Sequence, residues 1–426
     1  MIKNLWRTFI LAVTAASMAL ASCGGAEHGP AAAGPGWPQW RGPSGNGVSA
    51  ETSWNPMALQ GTPKVLWKKD VGTGYSSPSI DGRGHLFIMG LRSTRLRATC
   101  LDAATGRELW GRDLERTPLE TQGTPATDGD RVYFLNWDGL LVCLKTSNGA
   151  VLWNTDVGSG LPASKTAGGW AASAVVEGNL LLLNANTEMM ALDKLSGKLQ
   201  WQIEDQVPVG SWGSYATPVV SGVGAARRAF FLGPSTLFAV DLPGGKVVWS
   251  FPHHDDIHAV ADPIVSEGQV FISLPNLCFM LNLSSGQPSP GWKTQFTGWL
   301  PPPVLLDGYL YGSHMPPEFY TTTWEGVERD PMPFRCIDWK TGKVMWEKMM
   351  GHVTLIAAGD KLIMIELNGT LHVAEASPKG YTEIAITRVL ADGTGPKTFA
   401  VPPVLYDGRL YCRNFNGELT CIDVSK

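Results

Sequence analysis

The chain closes on CIDVSK at residues 421–426, and CLDAATGRELW at residues 100–110 shows how that opening continues elsewhere in the sequence. There, an apolar residue and Asp are followed after three residues by Gly and after three more by Trp. The terminal copy stops halfway. Upstream, GTPKVLWKKDV at residues 61–71 carries the other half, with Gly61 and Trp67 but no apolar-Asp strand before them. Joining the two restores one motif, so the C-terminal strand is expected to pair with residues 64–70 and close a ring. Closure removes the open sheet edges that would otherwise template aggregation.

The same pattern recurs as LDAATGRELW, LKTSNGAVLW, LDKLSGKLQW, VDLPGGKVVW, LNLSSGQPSPGW and IDWKTGKVMW. Its tryptophans are Trp110, Trp153, Trp201, Trp249, Trp292 and Trp346, spaced by 43, 48, 48, 43 and 54 residues, with Trp67 a further 43 residues upstream of Trp110. Periods of this size mark propeller blades. Strands that open the motif end near Asp102, Lys145, Asp193, Asp241, Asn282, Asp338, Glu375 and Asp423, which gives eight blades. The seventh is degenerate, with Tyr381 near the place where Trp would stand.

Composition agrees with an all-β chain: 49 Gly, 30 Pro and 17 Trp in 426 residues, with 17% charged, suit short strands joined by tight turns. The expected fold is an eight-bladed β-propeller of four-stranded antiparallel blades over residues 61–426. Asp-Gly and Glu-Gly pairs (IDGRG, TDGD, VEGN, SEGQ, LDGY, YDGR) supply the hairpin turns. Burying an indole removes about 150–250 Å² from water, roughly 4–6 kcal/mol as an upper bound. A tryptophan at each blade junction can therefore lock the ring.

Ahead of the repeats, Lys3 and Arg7 precede an apolar run and then LASC ending at Cys23. Residues 1–22 read as a secretory signal, and the apolar run is too short to span a bilayer. The segment resembles the lipobox of bacterial lipoproteins, which implies lipidation at Cys23 and a place in the cell envelope, at the periplasmic face of the inner or outer membrane. Residues 23–36 form a Gly/Ala/Pro tether, and residues 37–60, beginning WPQWRGPSGNG, a leader expected to pack on the propeller. Loss of residues 1–22 takes the formal net charge from −4 to −6, which argues against a nucleic-acid partner.

These motifs resemble the tryptophan-docking repeat of the PQQ-like (quinoprotein-type) β-propellers over residues 61–426. That family implies two alternatives, dehydrogenases that bind pyrroloquinoline quinone with calcium and cofactor-free propellers such as the BamB-like envelope lipoproteins. A lipobox followed by eight blades is similar to the second. The dehydrogenases carry adjacent cysteines over the quinone, and none of the seven cysteines here is adjacent to another. No cofactor is expected. Cys100, Cys143, Cys336 and Cys421 share one position in four blades and read as buried thiols; Cys412 and Cys421 lie on neighbouring strands.

Nucleotide, metalloprotease and serine-hydrolase motifs are missing from the sequence. One polar cluster, PHHDDIHAVADP at residues 252–263, offers His253, His254, Asp255, His258 and Asp262 as candidate metal ligands. A solvated loop is the plainer reading. Asp262 falls where other blades hold Ser77, Thr124 and Thr217, which favours a hydrogen-bonded structural carboxylate.

Strand order puts the short Asp-Gly and Thr-Gly turns on one face and the long links on the other. Function is expected on the open face, on loops held by a rigid scaffold. Tyr75, Trp170 and Tyr215 recur before inner strands and could hold a ligand or partner at the channel mouth, or could pack between blades; Phe319, Tyr320 and Trp324 lie in an insertion at residues 314–333. The expectation is a non-enzymatic, membrane-anchored propeller that binds an envelope protein or ligand. Its alternatives are a PQQ- or metal-dependent oxidoreductase and a glycan-binding propeller.

Overall fold

Each repeat folds as a small antiparallel sheet, and the computed structural model contains eight of them, seven of four strands and one of five. It describes residues 36–114, 122–161, 163, 169–206, 213–253, 260–274, 277–283, 286–294, 296, 302–315, 331–391 and 401–426. Blade 1 runs outward from Ser79–Ile80 through His85–Arg92 and Arg95–Asp102 to Glu108–Leu114, and the later blades repeat that order. Third strands end at the eight positions expected from the sequence, from Asp102 through Asp423.

The ring closes in blade 8, where Val65–Asp70 forms the outer strand beside Glu418–Asp423. Trp67 lies opposite Cys421 and Asp70 opposite Glu418. Lys64 and Lys68 add ion pairs to Asp423 and Glu418 at 2.8 and 2.7 Å. Such exposed pairs contribute little beside the strand pairing itself.

The structure explains each motif residue. Asp102 Oδ1 accepts from the backbone N–H and the hydroxyl of Thr105, both at 2.8 Å, and Asp193 and Asp338 fold their turns in the same way, while Asp423, in the split copy, accepts from Ser425 two residues on. This Asx-type bonding holds the tight turn. The glycine that follows adopts positive φ, +69° at Gly106, and lies flat against the preceding blade's indole. A Cβ on Gly106 would come within 2.6 Å of the Trp67 ring. Indole Nε1 donates to a carbonyl in the same turn: Trp67 to Ala103, Trp110 to Thr146, Trp153 to Lys194, Trp201 to Leu242 and Trp292 to Trp339. A bulge beside each tryptophan turns it toward that neighbour.

Burial is less complete than a core tryptophan would give. Trp201 and Trp249 are buried, but Trp67, Trp110, Trp153, Trp292 and Trp346 remain half-buried, because the outer strand has solvent on its far side.

Blade 7 departs from the expected equivalence. In its outer strand, Glu383–Arg388, Ala385 stands opposite Val373 at the tryptophan position. Tyr381 instead packs edge-on against Trp346 of blade 6, with ring centroids 5.9 Å apart. The turn that a blade 7 tryptophan would dock on is the one split by ring closure. Leader residues Pro56–Leu59 fill that place, and Leu59 is fully buried in the same cluster as Ala385.

The four equivalent cysteines lie opposite Trp110, Trp153, Trp346 and Trp67. All are free and buried. Burial pushes the Cys143, Cys336 and Cys421 thiols up to about 12. Cys412 pairs with Thr420, so it and Cys421 project to opposite sides of the sheet and cannot be bridged.

Candidate functional site

The channel is lined by first strands, and the residue leading into each is polar in blades 1 to 5. Ser77 N donates to Thr124 Oγ1 (3.2 Å), Thr124 N to Ser173 Oγ (2.9 Å), Ser173 N to Thr217 Oγ1 (3.2 Å) and Thr217 N to Asp262 Oδ1 (2.7 Å). The result is a girdle that runs from blade to blade, each side chain satisfying its neighbour's backbone donor. All five residues are buried.

Asp262 ends this girdle and meets the leader. Its second oxygen accepts from Trp40 Nε1 at 2.7 Å. Burial pushes its carboxyl up to about 6, against the pull of the nearby Arg41 charge, and burial lowers Arg41 to about 10. Arg41 Nη2 donates to the Pro303 carbonyl of blade 6 and to Asn46 O, at 2.8 and 2.9 Å. The leader thus crosses the channel. Before this point Trp37 exchanges two backbone bonds with Ile80 of blade 1; after it Val48–Ser49 pairs in parallel with the first strand of blade 7. Trp54 then bridges to Ser425 on the short-turn face of blade 8.

The leader lies against the propeller from Trp37 to Trp54, touching blade 1, the axis-facing ends of blades 5 and 6, blade 7 and the closing blade. Trp40 and Arg41 are therefore channel residues that the repeat pattern could not reveal, since a single non-repeated segment has no counterpart to align with. Arg413 is a second such residue. Fully buried, it donates to the carbonyls of Ser76, Gly72 and Met89, and so joins blade 8 to blade 1.

The candidate aromatics occupy different settings. Tyr75 is half-buried on the open face, its ring centroid 4.7 Å from that of Phe415, and Tyr215 is half-buried at the equivalent place of blade 4. Trp170 is buried between blades 2 and 3, against Gly139 and Gly158. It precedes its girdle residue, Ser173, by three positions, whereas Tyr75 and Tyr215 precede Ser77 and Thr217 by two. The extra residue turns Trp170 into the core, the second of the two places open to it from the sequence, packing between blades. Phe319, Tyr320 and Trp324 lie outside the described residues, as does Cys23.

Of the candidate metal ligands, His254, Asp255 and His258 also lie outside the described residues. His253 is buried within blade 4, its Nε2 3.1 Å from Gly233 O and its backbone N–H on Ser235 O. Asp262 is held by Thr217 and Trp40. Among the described residues no group of three or more His, Cys, Asp or Glu is placed to hold a metal ion.

Eight blades, six of whose junctions carry an indole-to-turn bond among the described residues, define a PQQ-like β-propeller. Within that class, the chain matches the family described as outer membrane protein assembly factor BamB over residues 94–348, and it belongs to that family. It is 26% identical over 202 residues to the outer membrane protein assembly factor BamB of Yersinia pestis, across 45% of this chain and 48% of that protein. The chain thus spans about half the length of that curated relative. Its fold is similar to that of BamB from Moraxella catarrhalis (TM-score 0.61, 15% identity, 85% of this chain and 98% of that one). It is also similar to that of the quinohemoprotein alcohol dehydrogenase of Comamonas testosteroni (TM-score 0.68, 12% identity, 92% and 81%). Likeness at these identities concerns the fold alone, and it extends to an enzyme as readily as to an assembly factor.

Proposed function

We propose that the protein is a lipid-anchored, non-enzymatic scaffold of the bacterial cell envelope that binds an envelope protein, a component of outer-membrane protein assembly, through its open face. Family membership supports the class of role. The observation that carries the choice of face is the course of the leader. From Trp37 to Trp54 it crosses the axis and runs along the short-turn side, leaving Tyr75, Phe415 and Tyr215 at the opposite end of the channel wall. Tyr75 and Tyr215, half-buried on a rigid frame with Phe415 buried beneath Tyr75, suit protein recognition.

A quinone with calcium does not fit the residues present. Asp262, the buried carboxylate of the axis, is committed to Thr217 and Trp40, the leader occupies the centre, and no adjacent cysteines exist in the sequence. Lipidation at Cys23 rests on the sequence pattern and is tested by Cys23→Ala, which is expected to abolish lipid labelling and release folded protein from membranes.

Site-specific photocrosslinking in native envelopes tests the face. A photoreactive phenylalanine analogue replacing Tyr75 or Tyr215 is expected to capture one common protein. The same group replacing Asp130 or Asp360, exposed on short turns of blades 2 and 7, is expected to capture none. Adducts only from Asp130 and Asp360 would overturn the assignment, and retention of glycan in place of protein would favour the carbohydrate-binding alternative.

A further inference from the structure

The leader shows what the inner wall of the ring can bind. Except in blade 7, where Val48–Ser49 is added, each blade's first strand ends its sheet. The leader's backbone meets that inner edge in three blades. In blade 1, Trp37 N donates to Ile80 O and Ile80 N to Trp37 O (2.7 and 2.8 Å); in blade 2, Thr127 N donates to Pro38 O (2.8 Å); in blade 7, Ala357 N donates to Gly47 O (2.9 Å). Ile80, Thr127 and Ala357 hold one position in their blades, opposite Leu86, Val132 and Leu362 of the second strands.

By register, the counterparts in blades 4, 5 and 6 are Val220, opposite Ala229, Val265, opposite Val270, and Leu305, opposite Leu310. Backbone groups of successive strand residues alternate between the two edges, so the N–H and C=O of these three face the channel as those of Ile80 do. All three are half-buried and border one cleft of about 600 Å³ on the short-turn side, where the leader forms the opposite wall. None has a backbone partner outside its own sheet among the described residues. An edge in this state is a template for another extended chain.

The charges around the cleft narrow the chemistry. Its cations are matched, Arg41 by the nearby Asp262 and Arg227 by Glu177 at 2.5 Å. Its exposed carboxylates are not: Glu267 and Asp307, on the turns that follow the first strands of blades 5 and 6, have no ion pair among the described residues. The cleft therefore carries uncompensated negative charge, which favours a cationic occupant and opposes an anionic one. We infer that this cleft takes a short extended segment of a partner protein, whose backbone adds to the first-strand edges of blades 4 to 6 as the leader meets those of blades 1, 2 and 7, and whose Lys or Arg side chains face Glu267 and Asp307. In strand addition the main chain supplies affinity and alternate side chains supply specificity. The open-face aromatics lie at the other end of the channel, and nothing here depends on what they bind.

Calorimetric titration of the full, detergent-solubilised protein tests this with three N-acetylated, amidated peptides: Val-Lys-Val-Lys-Val, Val-Glu-Val-Glu-Val, and the lysine peptide with its backbone amides N-methylated. The lysine peptide is expected to bind saturably, and the other two about tenfold more weakly or not at all. Glu267→Gln combined with Asp307→Asn, both on exposed turns, is expected to weaken the lysine peptide about tenfold and leave the melting temperature nearly unchanged. In the parent, amide hydrogen exchange at Val220, Val265 and Leu305 is expected to slow when the lysine peptide is added, a readout that needs no variant. No saturable binding of the lysine peptide, equal binding of the glutamate or methylated peptide, undiminished affinity in the folded double variant, or binding without slower exchange at those amides would overturn the inference. So would slow exchange at all three in the free protein, since a segment of the chain itself would then cover the edges.

Discussion

Trp40 and Asp262, 222 positions apart, meet in the channel, where the indole Nε1 donates to the carboxylate at 2.7 Å. Asp262 Oδ1 simultaneously accepts from Thr217 N and so completes the girdle of blades 1 to 5. One carboxylate thereby ties the non-repeated leader to the repeated ring. It supplies to blade 4 the polar acceptor that blades 1 to 3 obtain from Thr124, Ser173 and Thr217, and its second oxygen is what the leader uses.

Trp40→Phe removes that donor and little volume. Since Asp262 is buried and charged above about pH 6, the expected cost near pH 8 is about 1.5–3 kcal/mol, as for a hydrogen bond to a charged group. Below pH 6 the carboxyl takes up its proton and the loss should shrink. Denaturant melts of parent and variant at pH 8 and pH 5 measure the difference. An equal loss at both would show that the bond does not act through the ionised carboxylate.

The stability profile with pH has a second contributor in blade 7. His372 is buried with Nδ1 2.5 Å from Glu383 and Nε2 3.3 Å from Glu366. Burial opposes its charge, but the two carboxylates outweigh it and raise its pKa, while the His372 bond depresses that of Glu366. A raised histidine stabilises the fold fully below its unfolded value, about 6.5, and the contribution disappears as pH rises through the folded value. The depressed Glu366 stabilises above about 4.3 and its contribution disappears as pH falls through its folded value. Asp262, raised to about 6, acts in the same direction as His372. Maximum stability is expected on the mildly acid side of neutrality. His372→Gln should flatten the decline on the alkaline side, and an unchanged slope would contradict it.

Ring closure rests on strand pairing rather than on its ion pairs. Deleting residues 420–426 removes Cys421 and Ile422, both fully buried, and exposes an edge. A large fall in melting temperature with aggregation is expected. Lys64→Ala, which removes a pair whose lysine is 74% exposed, should change stability by no more than about 0.5 kcal/mol. Thermal melts with light scattering compare the two.

Residues that repeat were legible in the sequence, and residues that occur once were not. Asp102, Gly106 and Trp110 have counterparts in other blades, so alignment within the chain exposed their spacing and the split at Trp67 and Cys421. Ser77, Thr124 and Thr217 were matched to Asp262 in the same way. Arg413 and Trp40 each act at a single place, one bridging the closing junction and the other the axis, and no internal copy marks them. Trp170 could not be assigned between the channel mouth and the blade junction, because one inserted residue alters direction without altering pattern. The leader's WPQWR was conspicuous in composition, but composition does not specify which blade it meets.

Blade 7 gives the last prediction, because it shows how one missing tryptophan is replaced. Trp67, Trp110, Trp153, Trp201, Trp292 and Trp346 each dock an indole on the next blade's motif turn, yet the turn facing Ala385 is the one divided between Asp423 and the leader. Leu59 occupies that space, fully buried, and Gln60 Nε2 donates to Ile384 O at 2.9 Å. Leu59→Ala should therefore cost about 2–5 kcal/mol, as a core truncation. Ala385→Trp alone should also destabilise, by about 1–3 kcal/mol, since the site is already filled. Together the two changes exchange one filler for the other and should cost less than their sum, a favourable coupling of the kind contacting residues display. Denaturant melts of both single variants and the double variant measure it. Strict additivity would mean that Leu59 and the docking position do not share one cavity, and blade 7 would then be held by its neighbours without a docked side chain.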